Sequence, residues 1–205
     1  MSRGATARLF VAVELPLAVR ERLATWARRV TELSWAGPGR RAMRALAPES
    51  LHLTLCFLGS RPVDEMAPLA AVVRSCEEHA CELSVGAPLW LPARRPRALA
   101  VEVCDRGGGL GRVQARLSDA LRRAGAWEPE RRRFRAHITL VRIGRGAYAT
   151  RGSRTSRASG GPPPLPATPG LDFAPEAIVL YRSWLHADGA SYEPLVRNEL
   201  APVGR

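Results

Sequence analysis

The tetrad His52-Leu53-Thr54-Leu55 returns as His137-Ile138-Thr139-Leu140, and no other feature of the chain constrains its fold as tightly. The match runs outward: Leu51 to Gly59 aligns with Ala136 to Gly144, with His, Thr and a closing Gly at the same offsets in an apolar run. Residues two apart in a strand share a face, so each copy presents one imidazole and one hydroxyl together. Two such strands facing each other bring both polar pairs to one groove. Thr is a poor core residue in both places, because a buried hydroxyl needs a partner. His79 and His186 have no such match.

The surrounding pattern is α+β. Arg8 to Leu15 is rich in strand formers and ends at Pro16. From Leu17 to Leu33, the residues Leu23, Trp26, Val30 and Leu33 recur at helical spacing. A short strand near Met43–Leu46 and the first His-x-Thr strand, 51–58, come next; 62–79 reads as a second helix. Strands are expected near Cys81–Val85 and Ala98–Cys104, then a helix over Leu110–Ala124 and the second His-x-Thr strand over 134–143. Ala177–His186 and Tyr192–Leu200 read as a hairpin. At 205 residues this is a single domain of two lobes. The repeated order predicts a bilobal, pseudo-two-fold fold of two antiparallel sheets with outer helices and a central groove. Trp26, Trp90, Trp127 and Trp184 are expected in the core. Residues 145–170 carry Gly, Ser, Pro and four Arg with no acidic residue, the composition of a flexible loop.

Composition narrows the class. No run approaches the roughly 18–20 apolar residues of a membrane span, and no signal peptide is visible. The four cysteines form no Cys-x-x-Cys pair and read as buried thiols in a reducing, cytoplasmic compartment. Thirty-one basic residues, all Arg, against nineteen acidic ones give a net charge of +12. Such a balance favours a polyanionic partner, although a codon bias toward Arg would produce it too.

Two imidazoles and two hydroxyls in one groove suit in-line displacement at phosphorus. One His takes a proton from the nucleophile while the other gives one to the leaving oxygen. An unperturbed pKa of about 6.5 lets both forms exist near neutrality, which predicts a bell-shaped pH dependence centred at about pH 6–7.5. The Thr54 and Thr139 hydroxyls can donate to the non-bridging oxygens. Zinc would need further ligands. Strict alternation puts Cys56 on the face of His52 and Thr54, but its counterpart is Val141, so no metal and no cofactor are expected. The same alternation sends Arg142 to the face of Ile138 and Leu140. Only a bulge would return Arg142 to the groove, and on that condition it is a candidate phosphate-binding residue.

These residues resemble the two-histidine phosphoesterases, and most closely the RNA 2′,3′-cyclic phosphodiesterases, also called 2′-5′ RNA ligases. Arg8 to Pro16 is similar to the family's opening strand. Tyr181-Arg182-Ser183, Gly189 and Tyr192-Glu193-Pro194-Leu195 are similar to its closing hairpin. The resemblance implies metal-independent hydrolysis of 2′,3′-cyclic phosphate on RNA ends or nucleotides to a 2′-phosphomonoester. By that resemblance His52 is the proton donor, His137 the proton acceptor, and Thr54 and Thr139 hold the phosphate. The same site could run 2′-5′ RNA ligation, and a non-catalytic RNA-binding protein on this fold is the other alternative. A monomer with no membrane partner is expected. The 145–170 segment departs from the family by its length.

Overall fold

The computed structural model describes residues 5–33, 43–93, 96–125, 127–128, 133–144, 165–186 and 189–202. Strand β1 (Thr6–Glu14) leads into helix α1 (Leu17–Leu33), then β2 (Met43–Ala45) and β3 (His52–Pro62). Helix α2 (Met66–Arg74) precedes β4 (Leu83–Leu91) and β5 (Ala98–Cys104). Helix α3 (Gly109–Arg123) precedes β6 (His137–Ile143), β7 (Asp172–Phe173), β8 (Ala177–His186) and β9 (Gly189–Glu199). All described pairings between these strands are antiparallel, in the order β7-β4-β5-β6-β3-β1-β8-β9, with β2 also on β6.

The sheets of the two halves are joined by one strand pair. β3 and β6 are paired only through Leu53 and Ile138, both fully buried. On one side β3 continues into β1, β8 and β9; on the other β6 continues into β5, β4 and β7. The units β1-α1-β3 and β5-α3-β6 correspond, and their helices cross over. Helix α1 packs on β2 and β6 of the other half, while α3 packs on β3. Each helix follows its apolar stripe: Leu23, Trp26, Ala27 and Val30 are buried on α1, and Leu110, Val113, Leu117 and Leu121 on α3.

Several elements differ from the sequence expectation for identifiable reasons. The second helix, expected over 62–79, is regular only from Met66 to Arg74. Beyond it the backbone pairs with the end of the chain instead: Ala80 N–H donates to Ala201 O (2.7 Å) and Ala201 N–H to Glu78 O (3.0 Å). β4 runs on past Gly86 and Pro88 because a register shift between Val85 and Pro88 absorbs them. Trp184 is not a core residue. It is 41% exposed, with the Arg182 guanidinium 3.7 Å from its ring centroid and its Nε1–H donating to Glu193. Of the expected 145–170 loop, 145–164 lies outside the described residues. Its end is pinned: Trp26 Nε1–H donates to Ala167 O (2.8 Å) and Thr168 Oγ1–H to Gly86 O (2.8 Å). Among the described residues no helix is long and apolar enough to cross a membrane.

Because β3 and β6 pair through a single, fully buried residue pair, the joint is a sensitive place to test packing. Leu53→Ala should lower stability by about 2–5 kcal/mol in urea unfolding, and Ile138→Val by about 0.5–1.5 kcal/mol. Equal, small losses for both would show that the joint collapses around the void.

Candidate functional site

The duplicated tetrads carry duplicated bulges. Across from β1, Thr54 faces Ala12 and Cys56 faces Val11, so Leu55 is passed over. Across from β5, Thr139 faces Ala100 and Val141 faces Leu99, so Leu140 is passed over. Each bulge falls on the fourth residue of its motif and reverses the facing of the residues that directly follow it. Before it, His52 and Thr54, like His137 and Thr139, are half-buried while Leu53 and Ile138 are fully buried. After it, Cys56 and Val141 turn into the core, and Phe57 and Arg142 turn out.

This corrects the expectation for Cys56. It does not share the face of His52 and Thr54. It is 2% exposed in the core, hydrogen-bonded to Gln114, and burial pushes its thiol up to about 12. Arg142, by contrast, is brought by the bulge into a groove of about 550 Å³ that also contains His52 and Thr54. The sequence held a signal for this: without a bulge, Arg142 would join Ile138 and Leu140 in the core as an unpaired charge, which is costly.

The two imidazoles are held alike. His52 Nδ1–H donates to Ser50 O (2.9 Å), and His137 Nδ1–H donates to Arg135 O (2.8 Å), each two residues back along the chain. A carbonyl only accepts, so Nδ1 carries the hydrogen in both rings and Nε2 is left to exchange protons. The antiparallel register at Leu53–Ile138 sets His52 nearest Thr139 and His137 nearest Thr54. Each hydroxyl therefore stands beside the other motif's imidazole.

The surroundings of the two rings differ. His52 lies among aromatic side chains, 4.7 Å from the Phe10 ring, 4.9 Å edge-on from Tyr192 and 6.0 Å from Tyr181. Burial lowers its pKa from 6.5 to about 4, against the raising effect of the Ser50 carbonyl; the positive charges of Arg142 and His137 lower it further. Beside His137 is its cross-strand neighbour Glu102, ion-paired with Arg135 (2.9 Å). Sequence reasoning missed Phe10, Arg8, Arg44 and Phe57 as groove residues, and His186 at its rim. Tertiary proximity alone assembles them, since they come from four strands.

The low His52 pKa has a consequence for stability. The unfolded chain, with His52 near 6.5, binds its proton more readily than the folded one at about 4. Folding is therefore fully favoured by this group above pH 6.5 and loses that contribution as pH falls toward 4. The slope approaches about 1.4 kcal/mol per pH unit within the window, for a loss on the order of 1–3 kcal/mol. Urea unfolding of wild type and His52→Gln at pH 7 and pH 5 should show the wild type losing more; parallel losses would mean that His52 titrates normally.

No protein-family model matches the chain. It is 30% identical over 136 residues to RNA 2′,3′-cyclic phosphodiesterase of Escherichia coli (strain K12), covering 66% of this chain and 71% of that protein. A solved structure of a Thermus thermophilus protein matches with a TM-score of 0.72 at 25% identity, over 95% of this chain and 98% of the other. Escherichia coli LigT complexed with 3′-AMP matches with a TM-score of 0.68 at 25% identity, over 96% and 99% of the two chains. With its fold matched over nearly its whole length and a phosphodiesterase as a relative at 30% identity, this chain belongs to the two-histidine phosphoesterase family.

Proposed function

We propose that this phosphodiesterase opens 2′,3′-cyclic phosphates on RNA ends or nucleotides, giving 2′-phosphomonoesters without a metal. One observation carries the reading: two imidazoles in the same tautomer, each tied at Nδ1 and open at Nε2, flank the joint of two antiparallel strands. In-line displacement needs a proton acceptor on one side of phosphorus and a donor on the other, and this pair can supply both. In this reading His137 takes the proton of the attacking water and His52 gives one to the departing 3′ oxygen. Thr54 and Thr139 donate to the non-bridging oxygens, where negative charge concentrates. Arg142 offsets that charge from the groove wall. The relative's name, RNA 2′,3′-cyclic phosphodiesterase, and the 3′-AMP bound by LigT support the choice of substrate.

His52 must hold a proton to act as the acid, and in the free protein its pKa is about 4. An anionic phosphate beside Arg142 screens the guanidinium that disfavours the imidazolium, so substrate itself promotes protonation of His52. The bell centred at about pH 6–7.5 is accordingly revised for the free enzyme: the acidic limb of kcat/KM should lie near pH 4. Removing the positive charge in Arg142→Ala should move that limb upward. A limb fixed near pH 6 in both proteins would take His52 out of the titrating pair.

The direct test is turnover of a nucleoside 2′,3′-cyclic phosphate by chelator-treated protein, with the product isomer identified. A 2′-phosphate product at undiminished rate is expected; activity restored only by an added metal would move the enzyme to metal-dependent hydrolysis. His52→Ala and His137→Ala should each lower turnover by roughly 100-fold or more, with the double variant little worse than either. A single variant with near wild-type rate ends the two-histidine mechanism.

A further inference from the structure

Arg44 on β2 and Arg142 on β6 are direct cross-strand partners, and both stand in the groove that contains His52. Directly opposed like charges weaken a strand pair, their Cβ atoms being about 4.5–5.5 Å apart. Arg8 enters the same groove from β1, its guanidinium 4.8 Å from the Phe57 ring centroid. Among the described residues none of the three is ion-paired with a carboxylate, and the groove is lined by no Asp or Glu. Elsewhere the fold does pair its arginines, as in Arg61–Glu65, Arg135–Glu102 and Arg197–Glu14. Among the described residues the groove is thus cationic, the setting in which an anionic ligand is favoured.

A cyclic phosphodiester carries one negative charge. With Arg142 offsetting it, Arg44 and Arg8 remain uncompensated. The Arg44 guanidinium lies against Gly189 of the groove wall, where an added Cβ would come within 2.9 Å of Arg44 Cζ. Gly189 has a φ of +149°, which side chains rarely adopt, so the backbone there favours glycine and leaves room for the arginine above it. A guanidinium placed directly opposite a like charge, at a stability cost, is the arrangement of a binding group.

We propose that Arg44 and Arg8 form a second phosphate subsite, so that the groove takes a nucleotide bearing a phosphate on its 5′ oxygen as well as the terminal cyclic phosphate. This rests on the reading of the two histidines, His52 in the groove and His137 across the β3–β6 joint, as a cyclic phosphodiesterase site. The chemistry of ribose selects the position: with O2′ and O3′ closed in the ring phosphate, O5′ is the oxygen left to carry another. That second phosphate is either the internucleotide link of an RNA end or the terminal phosphate of a mononucleotide. Arg142 would serve the scissile phosphate, while Arg44 and Arg8 select among substrates.

The test compares kcat/KM for three substrates: a nucleoside 2′,3′-cyclic phosphate, its 5′-phosphorylated form, and a dinucleotide ending in a cyclic phosphate. Wild type should favour one or both of the two-phosphate substrates over the first by about tenfold or more, as one charge-assisted contact allows. Arg44→Ala should collapse that ratio, and Arg44→Lys should keep much of it. Preference for both two-phosphate substrates identifies any 5′ phosphate as the ligand; preference for the dinucleotide alone assigns the subsite to the internucleotide link. Equal losses on all three substrates would place Arg44 on the scissile phosphate and overturn the proposal, as would a wild-type ratio near one.

Binding and melting give a readout without turnover. A nucleoside 2′,5′-bisphosphate should bind more tightly than the 2′-monophosphate and raise the melting temperature further, and Arg44→Ala should abolish both differences. The ligand-free variant should melt no lower than wild type, because it loses an opposed charge. If no cyclic phosphate is turned over, the proposed function fails, and the bisphosphate comparison still decides the subsite: indifference of binding to the 5′ phosphate overturns it.

Discussion

The groove depends on how little of β3 and β6 is paired. They share Leu53–Ile138, and then each strand turns to its own half, β3 to β1 and β6 to β5. A long ladder between them would carry the sheet across continuously and leave no cleft. A single buried pair lets the faces diverge while keeping the flanking residues close, and those residues are the two histidines and two threonines. The crossed helices reinforce the joint, since each packs on the opposite half, α1 on β2 and β6 and α3 on β3.

The bulge on the fourth motif residue is the second device. It turns Leu55 and Cys56 inward in succession, then does the same with Leu140 and Val141. The next residue along each strand is released to the groove, Phe57 in one half and Arg142 in the other. The duplication thus supplies two equivalent positions beyond the imidazoles, one filled by an aromatic ring and one by a cation. The pseudo-symmetry of the backbone is kept, and the chemistry of the two halves diverges.

The same divergence separates the histidines. Their Nδ1 bonds to carbonyls are equivalent, so both present Nε2. Yet His52 is enclosed by Phe10, Tyr181 and Tyr192, with Arg142 close enough to disfavour its charge, whereas His137 has the Glu102–Arg135 pair at its side. Burial and neighbouring positive charge thus lower the pKa of His52.

The paired His-x-Thr motifs, the α+β class and the strand-helix-strand order of each half were legible in the sequence. Local periodicity and duplication carry that information, and the ranges of α1 and β5 follow the apolar spacing directly. The facing of Cys56 and Arg142 was not, because a bulge breaks the alternation from which facing is inferred, and only the cost of burying Arg142 hinted at it. The aromatic enclosure of His52 and the opposition of Arg44 to Arg142 join residues far apart in the chain, with no local pattern to announce them. The sequence by itself determined which groups could exchange protons. The tertiary structure decided which of them is desolvated, because burial is set by the side chains that distant strands bring together.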